Sequence, residues 1–251
     1  MTLALLAFLA AAVGGILNSI AGGGTLVTFP AIVALGLSPL TANATSTVGL
    51  WPASVGSMMG YREALAGAGS WVVRFTLPSL LGGGVGALLL LRTGSERFAR
   101  IVPFLVLGAT LLFMLQGPIL RTFRKGEAEA PRAPSWLFLL AQFGVGVYGG
   151  YFGAGIGILM LAVLELMGQT DIHRMNGLKN WGGLCINVVA ALLFIAGGIV
   201  HWPVALAMAV GGLLGGYAGA RLAQQVGRTI VRRSVSVIGL AAFVWLLFKP
   251  L

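Results

Sequence analysis

The sequence predicts an all-α polytopic membrane protein of about eight transmembrane helices, built as two homologous repeats that each carry a glycine-broken helix. Three observations predict it. The 251 residues are 58% hydrophobic and only 9% charged, with a mean hydropathy of +0.96, whereas a soluble domain carries about 25% charged residues. Apolar stretches long enough for a span of about 20 residues recur along the whole chain. A glycine-rich interruption also recurs in each half, as AGGGT at 21–25 and GAGIG at 153–157.

The apolar stretches fall at 3–20 continuing through 25–35, then 40–61, 71–91, 98–116, 136–167, 172–199, 202–222 and 230–248. No basic segment precedes residue 3, so 3–20 reads as a retained first span rather than a signal peptide. The segment 121–135, RTFRKGEAEAPRAPS, mixes charge with two prolines and reads as a linker. It separates a first repeat at 1–120 from a second at 136–251. The halves align at a constant offset of 132. Gly14 falls on Gly146, Gly23 on Gly155, Gly36 on Gly168, Gly83-Gly84 on Gly215-Gly216 and Arg100 on Arg232. Secondary transporters are built from such repeats, with the substrate site between them near the bilayer midplane. Four full spans per repeat would make them parallel; a re-entrant element at each glycine break would make them inverted. The basic loops near 92–100 and 221–233 both read as cytoplasmic.

A single helix over 3–35 would be about 50 Å long, too long for a hydrocarbon core of about 30 Å. It must break, and Gly22-Gly23-Gly24 is the place; Gly153, Gly155 and Gly157 play that part in the second half. Non-helical backbone at membrane depth survives only where protein or a wet cavity surrounds it. Helices restarting near Thr25 and Ile158 would aim their positive N-terminal ends into such a cavity, which suits an anion. Asn18, Ser19, Thr25 and Thr28 add neutral hydrogen-bonding groups nearby. The glycines at 83–86 and 211–219 have small-xxx-small spacing and read as packing seams.

Two polar clusters interrupt later spans. Asn43, Thr45 and Ser46 open the span at 40–61, as site residues or as caps and interhelical bonds. Lys179, Asn180 and Asn187 lie in the span at 172–199. An ionisable group within a span faces a partner or a water-filled path. Lys179 therefore either meets an anionic substrate or snorkels to the interface. The net charge of +10 comes largely from arginines at span ends, where headgroups favour them, and no aromatic-interleaved basic stretch suggests nucleic acid. One cysteine, two histidines and six scattered acidic residues supply no disulfide, metal site or catalytic dyad, so no enzyme activity and no cofactor is expected.

Residues 42–52, ANATSTVGLWP, ending at Gly60-Tyr61-Arg62, together with Ala21-Gly22-Gly23-Gly24-Thr25 and Pro30, resemble the first repeat of the sulfite exporter TauE/SafE family. Gly153-Ala154-Gly155, Leu178-Lys179-Asn180, Asn187, Trp202 and residues 215–221 resemble its second repeat, although Ala162 stands where that repeat often keeps a proline. The resemblance covers essentially the whole chain. It implies a multi-pass permease of the bacterial inner membrane, with two four-helix repeats, that moves sulfite or small organosulfonates such as sulfoacetate outward by alternating access. The competing readings are a passive anion channel, a permease for another small organic anion, and a membrane scaffold without a substrate. A carrier should lose transport yet still insert when Gly23 becomes leucine. Coupling to protons or another ion, and homo-oligomerisation, stay open.

Overall fold

The computed structural model describes residues 2–123, 136–167, 169, 171–222 and 228–248. These form ten α-helices and a 3-10 turn, with no strand among the described residues. In order they are α1 (Thr2–Ala21), α2 (Thr25–Ala34), α3 (Pro39–Tyr61), the turn Arg62–Leu65, α4 (Gly69–Thr93), α5 (Ser95–Phe123), α6 (Trp136–Tyr151), α7 (Ile156–Leu166), α8 (Ile172–Ala196), α9 (Trp202–Leu222) and α10 (Arg228–Phe248). Five of them, α1, α4, α5, α8 and α9, are long and apolar enough to cross a membrane. The polar run at its start separates α3 from that set. Helix α5 continues into the expected linker as far as Phe123; residues 124–135 lie outside the described residues, as does Gly168.

Both expected breaks are present, and each restarts as a short helix. Helix α2 folds back along α1, because Gly24 and Thr28 both pack on Gly14. Ile156, at the start of α7, lies over Gly149 of α6. Each broken element is thus a hairpin and not a kinked span. Local chemistry sets the entries into the next helices. Ser38 accepts a bond from Thr41 N at 3.3 Å with Pro39 at the first helical position, starting α3. Asp171 accepts from His173 N and Arg174 N, starting α8.

Close contacts give the helix directions. Phe8, Ala12 and Ile16 of α1 lie against Gly211, Gly215 and Gly219 of α9, and Gly49, Gly56 and Gly60 of α3 climb the same helix from Met208 to Ala220. So α1, α3 and α9 run parallel. Likewise Phe143 and Val147 of α6 lie on Gly82 and Gly86 of α4, while Ile186 and Val189 of α8 lie on Gly83 and Gly84. So α4, α6 and α8 run parallel. The two sets are antiparallel: His201 N, just beyond α8, donates to Thr45 near the start of α3, and Leu65, just beyond α3, packs on Gly177 near the start of α8. The glycine seams are packing devices, as expected, since a side chain on Gly86, Gly215 or Gly216 would fall on a neighbour's backbone. The directions overturn one expectation. Arg92 ends α4 and Arg221 ends α9, so these two arginines, one from each basic segment, lie at opposite ends of the bundle and not on one side.

An aromatic cluster closes the centre, with Phe29 and Phe98 packed on Phe152 at centroid distances of 5.5 and 6.3 Å. The outward faces carry exposed leucine, valine and phenylalanine, such as Val73, Leu77 and Leu81 of α4 and Phe104 of α5. Water would penalise such a surface and lipid would not.

Candidate substrate site

The two breaks, carried by helices that run in opposite directions, touch each other. Gly22 has φ +78° and lies so close to Gly157 that a Cβ would sit 2.5 Å from its Cα. That conformation and that contact together demand glycine. In the second break Gly153 and Gly155 hold positive φ of 81° and 79°. Among the described residues no side chain caps the start of α2 or of α7, so neither helix start is covered there by the usual side-chain oxygen.

A cavity lies between the breaks, α3 and α8. Thr25, Phe152, Ile156 and Met160 line it, with one stripe from each long helix: Ser46, Thr47, Leu50 and Ser54 from α3, and Lys179, Asn180, Gly183 and Asn187 from α8. These residues bracket the midpoints of their helices, Leu50 in α3 and Leu184 in α8. About 20 Å³ is open to the centre of a water molecule, which is space for one or two waters. Because α3 and α8 are antiparallel, Ser46 and Lys179 stand towards opposite ends of the cavity.

Lys179 is 2% exposed and does not snorkel. Its ammonium donates to Ser19 O at 2.9 Å and Asn18 O at 3.3 Å. Those carbonyls belong to the last turn of α1, the negative end of its dipole, where a cation is favoured. Beside it, Asn180 Nδ2 is buried without a hydrogen-bond partner among the described residues. At the opposite end Ser46 Oγ is likewise buried and unpartnered. An orphaned buried polar group costs about 1–3 kcal/mol, so both atoms call for a ligand or an ordered water.

Of the residues expected at the site, Asn18, Gly22, Thr25, Ser46, Gly153, Gly157, Lys179, Asn180 and Asn187 line the cavity. Five do not. Gly23 packs on the Phe113 ring, and Gly24 on Gly14 and Asn18. Gly155 turns the chain next to Ala109. Asn43 Nδ2 donates to Tyr151 O at 3.1 Å, and Thr45 Oγ1 accepts from His201 N at 3.0 Å, so both tie helix ends together. Leucine at Gly23 would therefore collide with Phe113, and its effect on transport would not separate a carrier from a scaffold. Thr47, Leu50 and Ser54 were not expected at the site. Their spacing of three and four residues along the face of Ser46 was the available signal.

A bundle of apolar helices around a buried polar cavity at mid-height is the architecture of a polytopic membrane protein. The match of residues 7–246 to the model for "Sulfite exporter TauE/SafE" places it further: the chain belongs to that family of membrane transporters. It is 31% identical to "Probable membrane transporter protein YfcA" of Escherichia coli (strain K12), over 92% of this chain and 84% of that one. It is 31% identical to "Probable membrane transporter protein ORF9" of Sinorhizobium sp, over 97% and 92%. A "Probable membrane transporter protein" of Haemophilus influenzae is 27% identical over 90% and 87%. All three names describe transporters and not enzymes.

Proposed function

We propose that this protein is a secondary transporter of the bacterial inner membrane that exports sulfite or a small organosulfonate such as sulfoacetate by alternating access. The observation that carries the reading is the donor set at one end of the cavity. Lys179 brings the positive charge there, and the unpartnered Asn180 Nδ2 stands beside it. A sulfur oxyanion needs such donors and no metal. A sulfonate is also fully ionised at neutral pH, which bars it from lipid and gives a cell reason to keep a carrier.

The machine we propose is a pair of inverted repeats, 1–120 and 136–251, joined by the linker 121–135. Each repeat contributes one re-entrant hairpin and three full crossings, in place of four plain spans. Support comes from the directions, since α1 and its counterpart α6 are antiparallel, and from recurring helix starts. Thr25 and Ile156 are 131 apart; Pro39 and Ile172, Gly69 and Trp202, and Ser95 and Arg228 are each 133 apart. The offset drifts because α7 is one residue longer than α2 and the turn after it is longer by one. At 133, Ser46, Thr47, Leu50 and Ser54 pair with Lys179, Asn180, Gly183 and Asn187, so the two stripes lining the cavity are equivalent.

Labelled-sulfite uptake into proteoliposomes tests the reading. A carrier gives saturable uptake that unlabelled anion on the far side accelerates. Ohmic anion current without exchange would favour a channel, and neither signal would leave a scaffold.

A further inference from the structure

The equivalence of the two stripes exposes a missing charge. In one half, Lys179 sets an ammonium against the last carbonyls of α1. In the other half, Ser46 stands at the equivalent position, lining the cavity with Phe152 and Gly153 just past the end of α6, and supplies no charge. The helix end there is no less negative. Among the described residues, its last carbonyl, Tyr151 O, is met by the neutral amide of Asn43 and by no charged group. Two oxygens at this place are left over: Ser46 Oγ, fully buried, and Asn43 Oδ1, 1% exposed, neither with a partner among the described residues. Asn43 Oδ1 is an acceptor only, and Tyr151 O has a second lone pair. A hydroxyl alone could serve an anion; an orphaned amide oxygen beside a helix C-terminus cannot. Asn176, the counterpart of Asn43, also keeps an unpartnered Oδ1, but there Lys179 brings the charge.

We propose that a small monovalent cation of sodium size binds beside this end of the cavity, between Ser46, which lines it, and the Asn43–Tyr151 contact behind it, with Ser46 Oγ, Asn43 Oδ1 and the carbonyl end of α6 as its ligands. It takes the place that the Lys179 ammonium fills in the other half. The ligands are neutral oxygens, and no carboxylate lines the cavity among the described residues; a divalent ion would need carboxylates. Backbone carbonyls at half-helix C-termini are the usual cation ligands of broken-helix transporters. The coupling this implies rests on the transporter reading: one cation enters opposite the anion and offsets one unit of its negative charge. The binding itself does not rest on it.

The test is thermal stability of the purified protein in detergent without any sulfur anion, in sodium, lithium, potassium and choline chloride at matched ionic strength. Wild type should be stabilised saturably by sodium or lithium and not by choline. Ser46→Ala, which removes a hydroxyl without a protein partner, should need at least tenfold more sodium for half-effect. Ser46→Lys should abolish the sodium response by supplying a tethered ammonium. Should that variant not fold, Ser46→Ala decides alone. Indifference of wild type to all four cations would overturn the site and leave the two oxygens to an ordered water. An unchanged sodium midpoint in Ser46→Ala would overturn it equally. The transporter reading fails separately, if wild type in choline salts ignores every sulfur anion.

Discussion

The two broken helices end in the same place and are finished differently. The carbonyl end of α1 receives a buried ammonium from Lys179, while that of α6 receives a neutral amide from Asn43. The backbone parts are alike at the two ends, with the breaks meeting at Gly22 and Gly157 and one stripe each from α3 and α8 lining the cavity. The chemistry is not symmetric. One end of the cavity is cationic and rich in donors; the other is neutral and rich in acceptors. In the inverted-repeat architecture proposed above, two differences at equivalent positions, lysine against Ser46 and asparagine against Thr47, create polarity along the cavity.

The largest way to break the comparison is at the hairpin tips. Gly22→Ala should cost about 3 kcal/mol or more, because a left-handed residue with a Cβ is strained and the methyl falls on Gly157. Gly153→Ala shares the positive φ, but its Cβ would meet only Gly149 O at 3.0 Å, and about 1–2 kcal/mol is expected. Thermal denaturation in detergent ranks the two, and equal losses would mean the tips do not press together as described.

Next in size is the charged end. Lys179→Met should destabilise by about 2 kcal/mol, since two charge-assisted bonds to buried carbonyls vanish, and it should abolish anion uptake. The matching change at the neutral end, Asn43→Ala, removes one neutral bond and should cost about 0.6–1 kcal/mol. Chemical denaturation of both variants measures that difference. Smallest is Asn180→Ala. Its Nδ2 makes no bond to any described residue, so stability should stay within about 0.5 kcal/mol, while the concentration of anion for half-maximal uptake rises at least tenfold.

Much of this was legible in the sequence, for identifiable reasons. Glycine triplets inside an overlong apolar stretch have few uses, so the breaks and the restart at Thr25 could be located from length alone. A lone lysine flanked by asparagines in a span singled out Lys179 and Asn180. Direction was not legible, because sequence gives the length of a helix but not its sense. Only side-by-side pairs such as Ile16 with Gly219 and Val147 with Gly86 reveal that α1 and α6 oppose each other. The same gap misplaced Arg92 and Arg221 on one side. Among the glycines, sequence could not separate Gly22, whose φ and neighbour demand it, from Gly23, which only makes room for Phe113. Asn43 and Thr45 looked like anion ligands because their use as ties to Tyr151 and His201 depends on partners more than 100 residues away.

The most direct measurement is thermal stabilisation of wild type and Lys179→Met across sulfite, sulfate, thiosulfate, sulfoacetate, taurine, acetate and chloride at matched ionic strength. Binding to the folded state alone stabilises by about 2.7 kcal/mol at a hundredfold excess over Kd. The account predicts a saturable shift for one sulfur oxyanion or organosulfonate in wild type and none in Lys179→Met. An equal shift in both proteins, or no selective shift in wild type, would contradict an anion site at the Lys179 end of the cavity.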